Sequence, residues 1–253
     1  MFKNAIQLYE PIHTYKPLAE NIGIVDGPLV YMSYPGVPFV SVPFPTRMTV
    51  VKLASGELWL HSPTAFNAAL AKQLEAMGKV AHFVSPNLLH YAHIAEWARA
   101  FPNATTWASP GVRERARSRH IDVHFQKDLG GEAPAEWRND LMQVVIPGAF
   151  LSELVFFHKA SKTLILTDTI ENFELDKIRQ PYRFLVWASR SYAPDHGQMP
   201  IDLRSTFLSK RAEARPAVEA MISWRPERII VSHGACINAD AEKALRFAFR
   251  WAL

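Results

Sequence analysis

Three apolar, partly β-branched runs in this chain each stop abruptly and are followed by a residue type that binds metal ions. Such a run, closed by a turn, is typical of a buried strand. Polar side chains just after strands of an α/β fold lie where these folds place their chemistry. The runs are 81–84, followed by a turn at Ser85-Pro86-Asn87 and then His90; 164–167, followed by Asp168; and 229–232, followed by His233.

The composition is that of a globular protein with a full core. The chain has 253 residues, of which 49% are hydrophobic and 21% charged, so one domain over residues 1–253 is expected. The single cysteine, Cys236, excludes an intrachain disulfide framework. Since no run resembles a signal peptide or spans a bilayer, the sequence favours the cytoplasm and no membrane partner.

The charge is basic, with a net charge of +4 and a pI of about 9.2. Four arginines between 113 and 119 alternate with other residue types, which is the pattern of a solvated helix face. No recognition motif accompanies them, so we predict no nucleic-acid binding.

The first third of the chain predicts a proline-rich segment and then a βαβ unit. Residues 1–46, with prolines at 28, 35, 38, 43 and 45 among aromatics and valines, are expected to be irregular and extended over the body. Two runs joined by Ser55-Gly56, within 48–61, predict a hairpin. A helix from Ser62-Pro63-Thr64 to Gly78 and a strand at 79–84 complete the unit, which implies parallel pairing.

The rest of the chain predicts a helix at 90–100, a strand at 105–108 and then several strands that pair in an antiparallel way. The later strands are 141–146, 154–158 and 163–167, and a last strand is 228–231. Residues 173–223 are mainly helical in pattern and form an insertion after Asp168, either as a lid or as core. Parallel and antiparallel strands together indicate mixed sheets.

The sequence resembles the metallo-β-lactamase fold superfamily, and within it a branch known as domain of unknown function 4336. The resemblance implies a four-layer αββα sandwich in the α/β class. The segments that carry it are Arg47-Met-Thr-Val-Val, Leu58-Trp-Leu-His-Ser-Pro63, Pro86-Asn87 followed by His90, and the block from Phe156 to Asp168.

The chain departs from the metal-binding signature of that superfamily at four of its seven ligand positions. The signature is His-x-His-x-Asp-His after a strand, a later histidine turn, a strand-end aspartate and a final histidine. With His90 in the last place of the first motif, Ser85, Asn87 and Leu89 occupy the earlier places. The later turn falls near 147–149, which holds no ligand.

The resemblance therefore leaves His90, Asp168 and His233, the ligands of one of the two ions. Two imidazoles and a carboxylate hold one Zn(II) or Fe(II) with positions open for water or substrate. We predict a one-metal hydrolase of a small molecule in which Asp168 and His90 have the catalytic role through the ion. The sequence identifies no substrate and leaves a homo-oligomer open.

Several further residues are candidates for the same site. We assign Ser85 and Asn87 to substrate binding, because they replace ligands with neutral hydrogen-bonding groups. His61 ends a strand at the same edge and is a third substrate-binding candidate. His93, three residues after His90, is either a replacement ligand or a rim histidine. Glu153 either supplies a carboxylate to the emptied site or is an ordinary strand-edge residue.

Two other functions stay open. A binding or scaffold protein could keep the sandwich without metal, with His90 hydrogen-bonded in place and Asp168 capping a turn. The same ligand set also suits Fe(II) redox or oxygen chemistry. Metal content separates all three.

Overall fold

The computed structural model describes residues 5–33, 41–192 and 197–253. In these ranges, eleven strands form two mixed sheets and seven α-helices flank them. The strands of the first sheet, in spatial order, are β1 (Tyr15–Ala19), β2 (Ile22–Ser33), β3 (Ser41–Lys52), β4 (Glu57–His61), β5 (Lys79–Val84), β6 (Thr105–Ala108) and β7 (Lys127–Asp128). Those of the second, in chain order, are β8 (Leu141–Ile146), β9 (Glu153–His158), β10 (Thr163–Ile165) and β11 (Arg228–Ile230).

The helices lie between and after these strands. Their bounds are α1 (Ala68–Met77), α2 (Ile94–Ala100), α3 (Val112–Ser118), α4 (Tyr182–Ser189), α5 (Ile201–Leu208), α6 (Arg211–Ser223) and α7 (Ala241–Ala248). A 3₁₀ turn at Leu175–Lys177 precedes α4, so 173–223 contains this turn and three helices. Among the described residues, every helix is too short or too polar to cross a membrane.

The pairing of the strands confirms the predicted hairpin and βαβ unit. Strand β3 pairs antiparallel with β4, and β4 pairs parallel with β5 across α1. In the second sheet the order is β11-β10-β9-β8, with β10 and β11 parallel and the others antiparallel. Both sheets are therefore mixed, as the sequence predicts.

Apolar contacts arrange the elements in four layers and confirm the αββα sandwich. Between the sheets, the Trp59 ring lies 4.9 Å from Phe156 and the Trp107 ring 4.5 Å from Trp137, measured between centroids. Helices α1 to α3 pack on the outer face of the first sheet, and α5 to α7 pack on that of the second. Alternate side chains of each strand thus meet the other sheet or a helix.

The expectation of irregular structure at the N-terminus is wrong for residues 15–19, 22–33 and 41–46, which lie in β1, β2 and β3. Pro28 lies at the register shift between Gly27 and Leu29, where a missing N–H is tolerated. Pro43 and Pro45 lie where β3 pairs with β2 alone, because β4 pairs only with 49–52. The prolines at 35 and 38 lie outside the described residues.

Two helices begin later than the sequence indicates. Helix α1 starts at Ala68, because the Asn67 side chain accepts a hydrogen bond from the Leu70 N–H and caps it. Helix α2 starts at Ile94, so His90 and His93 precede it instead of sharing its face. The reason is Asn87, whose Oδ1 accepts from the N–H groups of Leu89 and His90 and closes a turn instead.

Candidate metal centre

The structure brings together the side chains that follow three separate strands. One ligand atom from each of His90, Asp168 and His233 lies within 4.8 Å of the other two. Strands β10 and β11 are parallel neighbours, so the loops after them, with Asp168 and His233, leave the same sheet edge. His90 comes from the other sheet, after β5. The centre therefore spans the two sheets at one end of the sandwich.

Two links hold these loops together. The Pro86 carbonyl accepts a hydrogen bond from the Leu154 N–H at 2.9 Å, which ties the turn after β5 to β9. Asn172 donates its N–H to the His233 carbonyl at 2.9 Å and accepts one from Ala235 at 2.9 Å. Gly234 has φ +102°, and a Cβ there would lie 2.1 Å from the Asn172 oxygen. Only glycine fits this close approach.

His233 is held in a defined tautomer. Its Nδ1 lies 2.7 Å from the Pro45 carbonyl oxygen, and since a carbonyl can only accept, Nδ1 carries the hydrogen. Its Nε2 lies 3.2 Å from Asp168 Oδ1. In a neutral ring this Nε2 is an unprotonated acceptor facing a carboxylate oxygen. The pair needs a cation between its atoms, either a proton or a metal ion, and this donor set fits a divalent metal.

His90 meets both oxygens of the same carboxylate. Its Nε2 lies 3.2 Å from Oδ1 and 3.2 Å from Oδ2 of Asp168, and its Nδ1 lies 2.6 Å from Ser62 Oγ. Burial alone would lower the pKa of His90, but the Asp168 charge outweighs it and raises that pKa. His90 without metal is therefore an imidazolium over a wider pH range than an exposed histidine.

Asp168 is the shared carboxylate of the centre. Burial would raise its pKa, but His90 and His233 together hold the pKa well below its usual range. Asn87 Nδ2 donates to its Oδ2 at 2.5 Å and to Thr167 Oγ1 at 2.8 Å. The side chain keeps only 6% of its surface exposed. Asp168 is thus an ionised, oriented and nearly buried carboxylate and a candidate ligand.

Ser85 and Asn87, which stand where the superfamily has metal ligands, contact each other. Ser85 and Asn87 are fully buried, and Ser85 Oγ donates to the Asn87 carbonyl at 3.0 Å. Asn87 uses its amide for Asp168 and Thr167 and its oxygen for the turn that holds His90. Both side chains orient the centre through these contacts.

Glu153 lies at the start of β9, fully buried beneath the Asp168 loop. Its carboxylate accepts the N–H groups of Thr167, Asp168 and Thr169 at 2.7, 2.8 and 3.0 Å, and the Thr169 hydroxyl at 3.0 Å. Glu153 does not belong to the group formed by His90, Asp168 and His233. Its carboxylate shapes the loop that presents Asp168.

His61 is buried with neither ring nitrogen hydrogen-bonded in the structure. Its ring stacks on Trp59 with centroids 5.5 Å apart and meets the Phe156 edge at 5.4 Å. Burial is the main cause that lowers its pKa to about 3, and the charge on His90 lowers it further. His61 is therefore a neutral imidazole close to the centre, with free polar atoms.

His93 does not join the group of three. It lies just before α2, with its Nδ1 3.5 Å from Glu96 Oε2. This contact joins His93 to α2, and its assignment as a replacement ligand or a rim histidine stays a prediction.

One acidic residue near the centre gives no signal in the sequence. Glu171 is buried, and burial raises its pKa to about 8, with Asp168 adding to the rise and His233 opposing it. It lies three residues beyond Asp168 but belongs to no motif. Ser62 and the Pro45 carbonyl give no signal either, because Ser62 Oγ meets His90 from 28 positions away and a backbone oxygen leaves no trace in residue identity.

A cavity of about 1020 Å³ lies in another part of the described chain. Tyr9, Asp26, Arg47 and Cys236 line it, and the three ligand residues do not. The centre itself is narrow, with side-chain exposures of 10% for His90 and 7% for His233.

Comparison with known proteins supports this fold. Residues 35–114 match a family described as Domain of unknown function (DUF4336). Among solved structures, rubredoxin oxygen:oxidoreductase from Desulfovibrio gigas is 15% identical with a TM-score of 0.62, over 94% of this chain and 60% of that one. The metallo-β-lactamase FIM-1 from Pseudomonas aeruginosa, in a mono-zinc form, is 13% identical with a TM-score of 0.60, over 98% and 96%.

A third structure, the metallo-β-lactamase DIM-1 exposed to ceftazidime, is 15% identical with a TM-score of 0.60, over 95% of this chain and 97% of that one. A search of curated protein sequences found no match. At these identities the comparisons establish the fold, so the chain has the metallo-β-lactamase fold. The predicted resemblance is confirmed at that level, with the DUF4336 match covering 35–114.

Proposed function

We propose that this chain is a metal-dependent hydrolase of a small molecule and holds one divalent ion, zinc, by His90, Asp168 and His233. The observation that carries the proposal is the pair of acceptors formed by His233 Nε2 and Asp168 Oδ1, 3.2 Å apart. Because the Pro45 carbonyl takes the Nδ1 hydrogen, Nε2 is free for a metal. Two imidazoles and a carboxylate are a common zinc ligand set that leaves positions open.

The hydrogen bonds around the centre support one ion instead of two. Two of the ligand places emptied in the sequence are occupied by Ser85 and Asn87, whose polar atoms already bind protein groups, and a third holds the apolar Leu89. The Glu153 carboxylate binds four donors of the Asp168 loop. Among the described residues, one group of three suitable ligands is present.

His90, Asp168 and His233 would hold the zinc ion, which would lower the pKa of a water molecule to about 7 and so provide a nucleophile at neutral pH. The protein groups then position the substrate and hold protons. His61 is neutral and unpartnered, so we assign it the contact to a substrate oxygen or N–H group. Glu171, with a pKa of about 8, holds a proton on its carboxyl group near His233 at neutral pH. Asn87 and Ser85 orient the ligands.

Metal analysis tests this proposal directly. Protein purified without chelator and loaded with zinc, then dialysed, is expected to retain one equivalent by mass spectrometry. It should hydrolyse at least one member of a panel of esters, thioesters, lactones, phosphodiesters and β-lactams. Iron in place of zinc, with an aerobic colour, would favour redox chemistry on the same ligands. If the protein binds no metal under any loading condition, the result favours the scaffold function.

Zinc affinity is expected to rise with pH, because the metal must displace a proton from His90. The Asp168 charge raises the pKa of His90, so the imidazolium persists into the neutral range and competes with zinc. Below that pKa, affinity should rise about tenfold per pH unit, and above it the affinity should level off. Calorimetric titration from pH 5.5 to 8.5 in buffers of different ionisation enthalpy measures both the affinity and the proton released. A pH-independent affinity without proton release would contradict a ligand role for His90.

A further inference from the structure

Arg47 in β3 is a buried arginine whose guanidinium reaches the loop that carries His233. Its Nη1 donates to the Val231 carbonyl at 2.6 Å and to the Gly234 carbonyl at 2.7 Å. These two carbonyls flank His233 in the sequence, one on each side. Arg47 is only 3% exposed, so the contacts lie away from solvent.

Asp26 in β2 holds the guanidinium from behind. Its Oδ1 lies 2.8 Å from Arg47 Nε and 2.7 Å from Nη2, and its Oδ2 accepts from Lys16 Nζ at 2.9 Å. The Tyr9 ring lies 5.1 Å from the guanidinium carbon. The Asp26 carboxylate and the Tyr9 ring fix the planar guanidinium, so Arg47 has little freedom to break its hydrogen bonds to the two carbonyls.

The same strand also sets the His233 ring, through the Pro45 carbonyl at 2.7 Å from Nδ1. Strand β3 thus contacts the His233 ring through Pro45, and through Arg47 it contacts the backbone of residues on both sides of His233. We propose that Arg47, anchored by Asp26, is a positioning residue that fixes the 231–234 loop so that His233 Nε2 faces Asp168. This inference rests on the proposed metal site, because it gives Arg47 a role in zinc affinity.

The test compares Arg47→Lys with a matched control, Arg113→Lys. A lysine keeps the charge but cannot span Asp26 and two carbonyls at once. Arg113 has the same kinds of partner, none of which is a proposed ligand: Asp128 Oδ1 at 2.7 Å, the Phe125 carbonyl at 2.7 Å and the Phe125 ring at 5.8 Å. The readouts are zinc affinity, by competition with a chromophoric chelator, and the ¹⁵N NMR signal of His233 Nδ1–H, assigned with His233→Gln.

Arg47→Lys is expected to lower zinc affinity about 10- to 100-fold, the usual effect of losing a group that orients a ligand. It should also shift or broaden the His233 Nδ1–H signal, while Arg113→Lys changes neither. A folded Arg47→Lys protein with wild-type affinity and an unchanged signal would overturn the inference, even if its melting temperature fell. If Arg47→Lys does not fold, Asp26→Asn, with Asp128→Asn as its control, decides by the same two readouts.

The NMR signal separates this inference from the proposed function. If the wild type binds no zinc, the hydrolase proposal fails, and the signal of the metal-free protein still shows whether Arg47 positions His233. If the wild type binds zinc and Arg47→Lys leaves both readouts unchanged, only the role of Arg47 fails.

Discussion

Replacing Asp168 by asparagine is expected to lower zinc affinity more than about 100-fold, beyond the 10- to 100-fold typical of groups that only orient ligands. Asp168 is the carboxylate that faces both imidazoles, at 3.2 Å from each Nε2. Asparagine has nearly the same shape but no charge, so the fold should persist. The chelator competition assay measures the affinity, and circular dichroism checks the fold.

A histidine pair provides the matched comparison for this prediction. His90→Gln removes a proposed ligand whose Nδ1 lies 2.6 Å from Ser62 Oγ. His158→Gln removes a buried histidine whose Nδ1 lies 2.7 Å from Ser161 Oγ, on the hairpin of β9 and β10. His90→Gln should lose most of the zinc affinity and His158→Gln should keep it. If Asp168→Asn bound zinc with the same affinity as the wild type, the proposed metal site would be contradicted.

The layered fold could be predicted because its signals are local. Apolar runs closed by Ser-Pro-Asn, by Asp168 and by Ser232-His233-Gly234 mark strand ends, and the helix between β4 and β5 implies parallel pairing. The strands at the N-terminus were missed, since the prolines there argue against strands until their partners are known. Pro43 and Pro45 fit only because β4 ends its pairing with β3 at Thr49.

The site was predicted less completely, because residue identity does not show where a side chain points. Glu153 reads as a possible ligand, yet its carboxylate faces N–H groups 14 to 16 positions later in the chain. The Pro45 carbonyl, which fixes the His233 tautomer, is 188 positions away from that histidine. Such contacts depend on how the two sheets pack at one end, and no spacing in the sequence encodes them.

Glu153→Gln is expected to destabilise the protein by about 3–5 kcal/mol, because two buried donors of the Asp168 loop lose their acceptor. The buried carboxylate has two acceptors that receive four donors in all. An amide replaces one acceptor with an NH₂ group that faces two of those donors. Each donor left without a partner costs about 1–3 kcal/mol. Urea unfolding at pH 7, followed by circular dichroism, gives the free energy of unfolding.

Glu171→Gln is the matched control, since both residues are buried acids near Asp168 and the change is the same. Burial raises the pKa of Glu171 to about 8, so its folded form is already neutral at pH 7 and glutamine resembles it. Since the pKa of Glu171 is raised from 4.5 to about 8 on folding, the stability that its neutral form contributes is complete at low pH and is lost progressively as pH rises to about 8. Glu171→Gln should therefore not destabilise the protein at pH 7, and its stability relative to wild type should increase from pH 5 to pH 8 and then level off. If Glu171→Gln cost as much as Glu153→Gln, the loss would reflect a change at any buried acid, and the four donors around Glu153 would not be its cause.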